Sequence, residues 1–263
     1  MSVTAPDGFI ASGVAAGIKA SGAQDVALVV NSGPEDVVAG VFTSNRFAAA
    51  PVLWSQQVVA DGSARAVVVN SGGANACTGP EGFADTHQTA EFVAESLQRN
   101  GFDIGAGDVV VCSTGLIGER LPMDLLLGGV EAAAAVLVAE GSTAARAIMT
   151  TDSVPKVTRV EADEFTIGGM AKGAGMLAPG LATMIVVLTT DASLSSEVAA
   201  RSLALASRMT FDRIDSDGCM STNDTVVLMA NGASGRQVSE KEFTNYLTQA
   251  CAALARQLIA DAE

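Results

Sequence analysis

Aromatic residues make up only 4% of the 263 residues, with one Trp, one Tyr and nine Phe. A core without large rings has to be filled by Ala, Val, Leu and Gly, which suits close-packed layers of helix on sheet. Histidine is almost missing. His87 is alone, so a Ser-His-Asp or Cys-His site would have to use it, and nothing near it supports one. It lies in a helical pattern and reads as a surface or capping residue. The four cysteines, Cys77, Cys112, Cys219 and Cys251, form no C-x-x-C pair and have no metal-ligand spacing. They read as buried free thiols in a reducing compartment. Basic residues are scarce, 15 against 29 acidic, and the net charge is -14. Such a surface repels phosphate backbones and anionic bilayers, which argues against nucleic-acid and membrane partners. The most apolar run, 125–138, is broken by Gly128, Gly129 and Glu131 and is too interrupted to span a bilayer. The first 22 residues lack a basic segment followed by an apolar one, so no secretory signal is read. These absences predict a soluble, cytoplasmic protein.

Material for a core is ample, at 49% hydrophobic and 17% charged residues. Short Val-rich runs at 25–30, 38–43, 64–70, 108–113, 184–190 and 225–230 predict strands. Helical patterns cover 82–100, 123–141, 195–211 and 239–263, and Ser239 with Glu242 forms a capping-box signature. Neighbouring strands within 25–43, and a pair around 157–167, read as antiparallel hairpins. Helices and strands are interspersed without strict βαβ alternation. The expected architecture is an α/β layered sandwich with a mixed sheet, not a doubly wound nucleotide fold. A boundary near residue 182 rests on motif grounds alone.

The segment "KGAGMLAPGLATMIVVLTTDA", 172–192, is the least ordinary stretch. Gly173 to Ala178 fits a loose G-x-G-x-x-A pattern, but Pro179 and Gly180 fall where a Rossmann helix would gain its first turns. A plain Gly-rich connection into a buried strand is one reading. The other centres on Thr183, which opens that strand with Lys172 upstream. A threonine becomes a nucleophile when the chain is cut before it and its own α-amino group serves as base. That amine has an unperturbed pKa of about 7.7–8.0, close to working pH. In "CSTGLIGERLPMD", 112–124, Ser113, Thr114 and Gly115 sit between a strand and a helix. They form either a capping turn or an anion-facing turn of backbone N–H groups. In "AIMTTDSVPK", 147–156, Thr150, Thr151 and Asp152 cap, turn or bind a ligand. "NSGGANACTGP", 70–80, is a tight irregular turn or a ligand-facing loop, and "DGCMSTNDT", 217–225, is polar and turn-forming.

Together, "STGLIGERLPMD", "AIMTTD", "GGMAKGAGMLAPGLATMIVVLTTDA", "FDRIDSDGCMSTNDTVVLMANG" and the closing "ADAE" follow the order seen in the ornithine acetyltransferase family, the bifunctional glutamate N-acetyltransferases of arginine biosynthesis. The chain resembles that family from about residue 4 to 263. The resemblance implies self-cleavage between Ala182 and Thr183, which makes 1–182 an α-subunit region and 183–263 the start of a β-subunit region. Thr183 is then the N-terminal nucleophile. It takes acetyl from N2-acetylornithine and passes it to glutamate in a ping-pong scheme. Thr114 and Gly115 match the oxyanion hole, while Thr150 (Thr151 if the register differs by one), Lys172, Thr183 and Glu263 match substrate contacts. No cofactor or metal is implied, and acetyl-CoA enters only as a substrate of some members. Cleaved α and β subunits assemble further, as in a heterotetramer. The family continues beyond the equivalent of Glu263 with a segment carrying an asparagine and a terminal Ser/Thr that contact substrate, and the resemblance implies that this segment is absent here. Two rival readings stand beside the acetyltransferase. One is a related self-cleaving amidohydrolase with an N-terminal Ser or Thr, and the other is an inactive, shortened chain.

Overall fold

The computed structural model describes residues 2–175 and 184–262. Two mixed sheets face one another, each with helices on its outer side. The first sheet comprises β1 (Phe9–Val14), β2 (Val26–Asn31), β4 (Ala66–Gly73) and β5 (Val109–Leu116), in the order β1-β2-β4-β5. The second holds β3 (Val37–Phe42), β6 (Lys156–Glu161), β7 (Thr166–Lys172), β8 (Ile185–Thr190) and β9 (Thr225–Ala230), in the order β3-β9-β8-β7-β6. The helices are α1 (Ala50–Val58), α2 (Gly79–Arg99), α3 (Met123–Ala135), α4 (Ser142–Ala147), α5 (Ser196–Met209) and α6 (Glu240–Ala260).

Alternation along the strands builds the layers, because successive side chains in a strand point to opposite faces. In β2 and β4, Val26, Leu28, Ala66 and Val68 face α2 and α3, where they meet Val93, Leu97, Leu126 and Val130. Ala27, Val29, Val67 and Val69 face the other sheet and meet Met170, Ile185, Val187 and Val227. In the second sheet, Val186, Leu188 and Val226 turn outward to Leu203 of α5 and Phe243, Leu247 and Leu254 of α6. The result is four layers, α–β–β–α. Parallel pairing occurs at β4/β5 and β8/β9, whose connections contain α2 and α5. Parallel neighbours need such crossovers, and the remaining strand pairs are antiparallel.

The layered α/β sandwich agrees with the sequence expectation, with two mixed sheets rather than one. The pair at 157–167 is the β6/β7 hairpin. The expected hairpin within 25–43 does not form: β2 pairs with β1 and β4 in one sheet, and β3 pairs with β9 in the other. The helix expected over 123–141 stops at Ala135, because Val138 turns to bridge Ala11 at the end of β1's sheet. Ser239 does cap α6, accepting the Glu242 amide at 3.3 Å. Strand β5 is an edge, and α1 covers it. Ser55 Oγ donates to the Val111 carbonyl and accepts its amide, while Trp54 Nε1 donates to the Val109 carbonyl. Edge backbone groups that would otherwise invite another strand are thus used up. Cys112 and Cys251 are buried, but Cys77 and Cys219 are exposed, correcting the reading of all four as buried. His87 is half-exposed, stacks on Trp54 and lies 3.6 Å from Glu91. No described helix is long and apolar enough to cross a membrane.

Candidate functional site

The two sheets meet over a cavity of about 640 Å³, whose lining includes Lys19, Thr114, Gly115, Thr150, Thr151 and Lys172. Thr114 is near the end of β5, on the same face as Val110 and Cys112, which pack between the sheets. Lys172 ends β7 on the face that carries Met170 into the same inter-sheet core. The two faces converge, and Lys172 Nζ donates to Thr114 Oγ1 at 3.2 Å. Both side chains are buried. Burial drives the Lys172 ammonium below its usual pKa, and Asp152 pulls it partly back.

Gly115 follows with φ +135°, and a Cβ there would stand 2.4 Å from the Gly72 carbonyl carbon. Only glycine allows this backbone to lie so close against β4.

Thr150 and Thr151 are held by Asp152. Its Oδ2 accepts the Thr150 amide at 3.0 Å, and its Oδ1 accepts the Gly173 amide at 2.6 Å. Lys156 Nζ donates to Asp152 Oδ1 at 2.7 Å and to Asp261, beyond the end of α6, at 2.5 Å. Ser153 also bonds to Asp261. Burial alone would raise the Asp152 carboxyl, but the Lys172 ammonium, the two amides and Lys156 outweigh it, so it titrates below its ordinary range. One buried carboxylate therefore fixes both the Thr150 turn and the residue after Lys172.

At the start of β8 and β9, the buried Asp224 accepts the Met184 amide through Oδ1 at 3.0 Å, and the Thr225 amide donates to the Met184 carbonyl. Burial pushes the Asp224 carboxyl well above its ordinary pKa, against the pull of the Met184 amide and the Ser221 and Thr43 hydroxyls. Asn223 Nδ2 donates to the carbonyls of Ala74 and Ser113, lacing the approach to β9 to the other sheet.

The structure thus brings Thr114, Gly115, Thr150 and Lys172 to one cavity. Thr183, Ala182 and Glu263 lie outside the described residues. The segment 70–80 divides: Gly72 lines the cavity, whereas Asn75 and Cys77 take left-handed backbone at φ 50° and 59°, and Asn75 bonds into the start of α2. Sequence reasoning missed Lys19, and it left Asn223 and Asp224 inside a polar turn. A polar run leading straight into the Val-rich strand at 225–230 was the available signal for the latter pair. Lys19 left none. Among the described residues no cluster of three or more His, Cys, Asp or Glu is arranged for a metal.

Fold and site together define a four-layer α/β sandwich protein with a lysine-bearing cavity at strand ends between its sheets. The ArgJ family model matches residues 10–263. Arginine biosynthesis bifunctional protein ArgJ of Streptomyces avermitilis is 62% identical over 264 residues, covering 100% of this chain and 68% of that protein. Among solved structures, ornithine acetyltransferase of Mycobacterium tuberculosis, complexed with ornithine, has a TM-score of 0.67 and 60% identity, covering 70% of this chain and 96% of the other. The ArgJ protein of Bacillus halodurans has a TM-score of 0.57 and 33% identity, covering 70% and 95%. The chain belongs to the ArgJ family. The resemblance read from the sequence motifs is borne out at this level.

Proposed function

We propose that this chain is an acetyltransferase of arginine biosynthesis that moves acetyl from N2-acetylornithine to glutamate through an ester on Thr183. In this reading the peptide bond between Ala182 and Thr183 is first cut, freeing the Thr183 amine. The amine accepts the Thr183 hydroxyl proton as the oxygen attacks the acetyl carbonyl carbon. The C–N bond to ornithine then breaks, and the proton leaves with the ornithine amine. Glutamate's amine attacks the ester, releasing N-acetylglutamate and restoring the hydroxyl. Thr114 hydroxyl and Gly115 amide face the developing oxyanion. Thr150, Lys172 and Glu263 contact substrate, with Lys172 favouring a carboxylate. Acetyl-CoA is a second acetyl donor in the bifunctional version of this scheme. The cleaved α and β subunits, of which 1–182 is the α region and 183–263 the start of the β region, assemble as a hetero-oligomer such as a heterotetramer, in the cytoplasm and without a cofactor.

The supporting observation is the buried contact of Lys172 with Thr114 at the strand end where the chain returns. Ile185 pairs with Lys172 across β7/β8. Thr183 stands two residues before Ile185 in the sequence. The named relatives support the activity. One is called a bifunctional arginine-biosynthesis protein, and another is an ornithine acetyltransferase holding ornithine.

Intact mass spectrometry of the purified chain tests the scheme. Two masses split before Thr183, summing to the chain plus one water, are expected. A single uncut mass would favour the inactive-chain reading. Thr183→Ala should abolish both cleavage and acetyl transfer, and retained transfer would remove Thr183 as nucleophile. Product analysis with and without glutamate separates transfer from the amidohydrolase reading, in which water takes the acyl group.

A further inference from the structure

Lys19 is a second lysine on the cavity, and its loop is built to hold it there. The connection between β1 and β2 wraps around Asp25, which is fully buried at the start of β2. Asp25 Oδ1 accepts the Ala16 amide at 2.6 Å, and Oδ2 accepts the amides of Ile18 and Lys19 at 2.7 and 3.0 Å. Three amides on one buried carboxylate fix the backbone that presents the lysine. Ile18 packs over Gly72, where a Cβ would come within 2.8 Å of its Cγ2. The ammonium is aimed as well. Lys19 Nζ donates to the Gln24 carbonyl at 2.7 Å and reaches the Ala147 carbonyl at 3.5 Å. Ala147 is itself gripped by Ser71 Oγ at 2.5 Å. A lysine ammonium has three donors, and these carbonyls use two.

Electrostatics points the same way. Lys19 is half-buried, and burial lowers its pKa against the opposing pull of Asp25 and Asp152. Its charge is also among those that depress Lys172. Two partly desolvated cations lining one cavity repel each other, and an anion placed between them relieves both. Lys172 already donates to Thr114, and Lys19 stands on the same cavity as a second cationic anchor.

We propose that Lys19 is a substrate-specificity residue that takes one carboxylate of the amino-acid substrate, as a second cationic contact beside Lys172 in the same cavity. The inference rests on the acetyl-transfer reading, because glutamate and N2-acetylornithine both bring carboxylates. Glutamate carries two, so the α- and side-chain groups are separated by experiment.

The test is calorimetric titration of the full chain with glutamate, its α-amide (isoglutamine) and its γ-amide (glutamine), in unsubstituted, Lys19→Met and Lys19→Arg forms. Lys19→Met should weaken glutamate binding at least tenfold, and Lys19→Arg should recover most of it. In the unsubstituted protein one of the two amides should show the same loss. That amide should bind Lys19→Met and unsubstituted protein alike, which identifies the carboxylate that Lys19 holds. Lys19→Met binding glutamate within twofold of the unsubstituted protein would overturn the proposal, as would both amides losing further affinity on substitution. If Lys19→Met does not fold, acetic anhydride footprinting of the unsubstituted protein decides: glutamate should shield Lys19 from modification, and unchanged labelling would overturn the proposal. Thr183-dependent acetyl transfer together with unchanged Lys19→Met binding would sink this inference alone. No glutamate binding by unsubstituted protein would sink the functional reading as well.

Discussion

Removing the Lys156 ammonium should destabilise the protein and disturb the cavity together. Lys156 is fully buried between Asp152, also fully buried, and Asp261, whose side chain is 10% exposed. Lys156→Met keeps most of the side-chain volume but leaves two carboxylates without their cation. Breaking a buried pair costs about 3–5 kcal/mol where the surviving charge has no other partner, and here Lys172 and the Thr150 and Gly173 amides at Asp152 offset part of that. Against a typical total of about 5–15 kcal/mol, that is a large share. The sign with pH follows from the carboxylates. Lys156 holds Asp261 down at about 2, and Asp152 also sits below its ordinary value. Groups with depressed pKa contribute fully above the unfolded value, about 3.9, and lose that contribution as pH falls through the folded value. In Lys156→Met the carboxylates protonate more readily, so the gap to the unsubstituted protein should be widest at pH 7 and narrow by pH 3. Urea unfolding followed by circular dichroism at both pH values measures this. A gap below about 1 kcal/mol at pH 7, or one that does not narrow by pH 3, would refute the reasoning. Asp152 also grips Thr150 and Gly173, so substrate affinity should fall in the same variant even where it remains folded.

Thr114→Ala should slow acetyl-enzyme formation by about 100- to 1,000-fold, the usual effect of losing one oxyanion donor, with circular dichroism unchanged. An unaltered single-turnover rate would remove Thr114 from that role. Gly115→Ala should misfold or lose the cavity, because its Cβ would strike the Gly72 carbonyl carbon at 2.4 Å on a backbone of φ +135°; a crystal structure with β4 and β5 unshifted would contradict this. Native thiol labelling at pH 8 should modify Cys77 and Cys219 and spare Cys112 and Cys251. Burial pushes the Cys112 thiol up to about 12 and raises Cys251 too, so fast labelling of either would show the core to be open.

Much of the architecture was legible because strands buried on both faces read as nearly continuous apolar runs. The six Val-rich runs became β2, β3, β4, β5, β8 and β9. β1 was not read, since "FIASGV" mixes small and polar residues that pack by close approach rather than bulk. The false hairpin over 25–43 arose because local spacing cannot say which sheet a strand joins. That choice is made by contacts far along the chain, such as Val38 with Met229. The overlong helix at 123–141 followed Ala-rich propensity, which the Val138 bridge to Ala11 overrode. At the site, Thr114, Gly115, Thr150 and Lys172 were found through motif order, and the structure adds that they share one cavity. Lys19 was invisible because its placement depends on Asp25 collecting three amides, which no spacing rule encodes.

The interleaving of the second sheet has a consequence for the order of events in the life of the chain. Strands β3, β6 and β7 precede residue 183, while β8 and β9 follow it, yet they alternate as β3-β9-β8-β7-β6. The first sheet lies wholly before residue 183, but the later part owns no sheet: β9 and β8 sit between β3 and β7 of the earlier part. A cut before Thr183 would leave every ladder bond in place and convert tertiary contacts into quaternary ones. Folding would therefore have to come before cutting, and the mature pair would be born assembled rather than meeting by diffusion. Its reassembly after denaturation would be a second-order process that pays the entropy of bringing two molecules together. The melting temperature of the cut form would then rise with protein concentration, while that of the uncut chain would not.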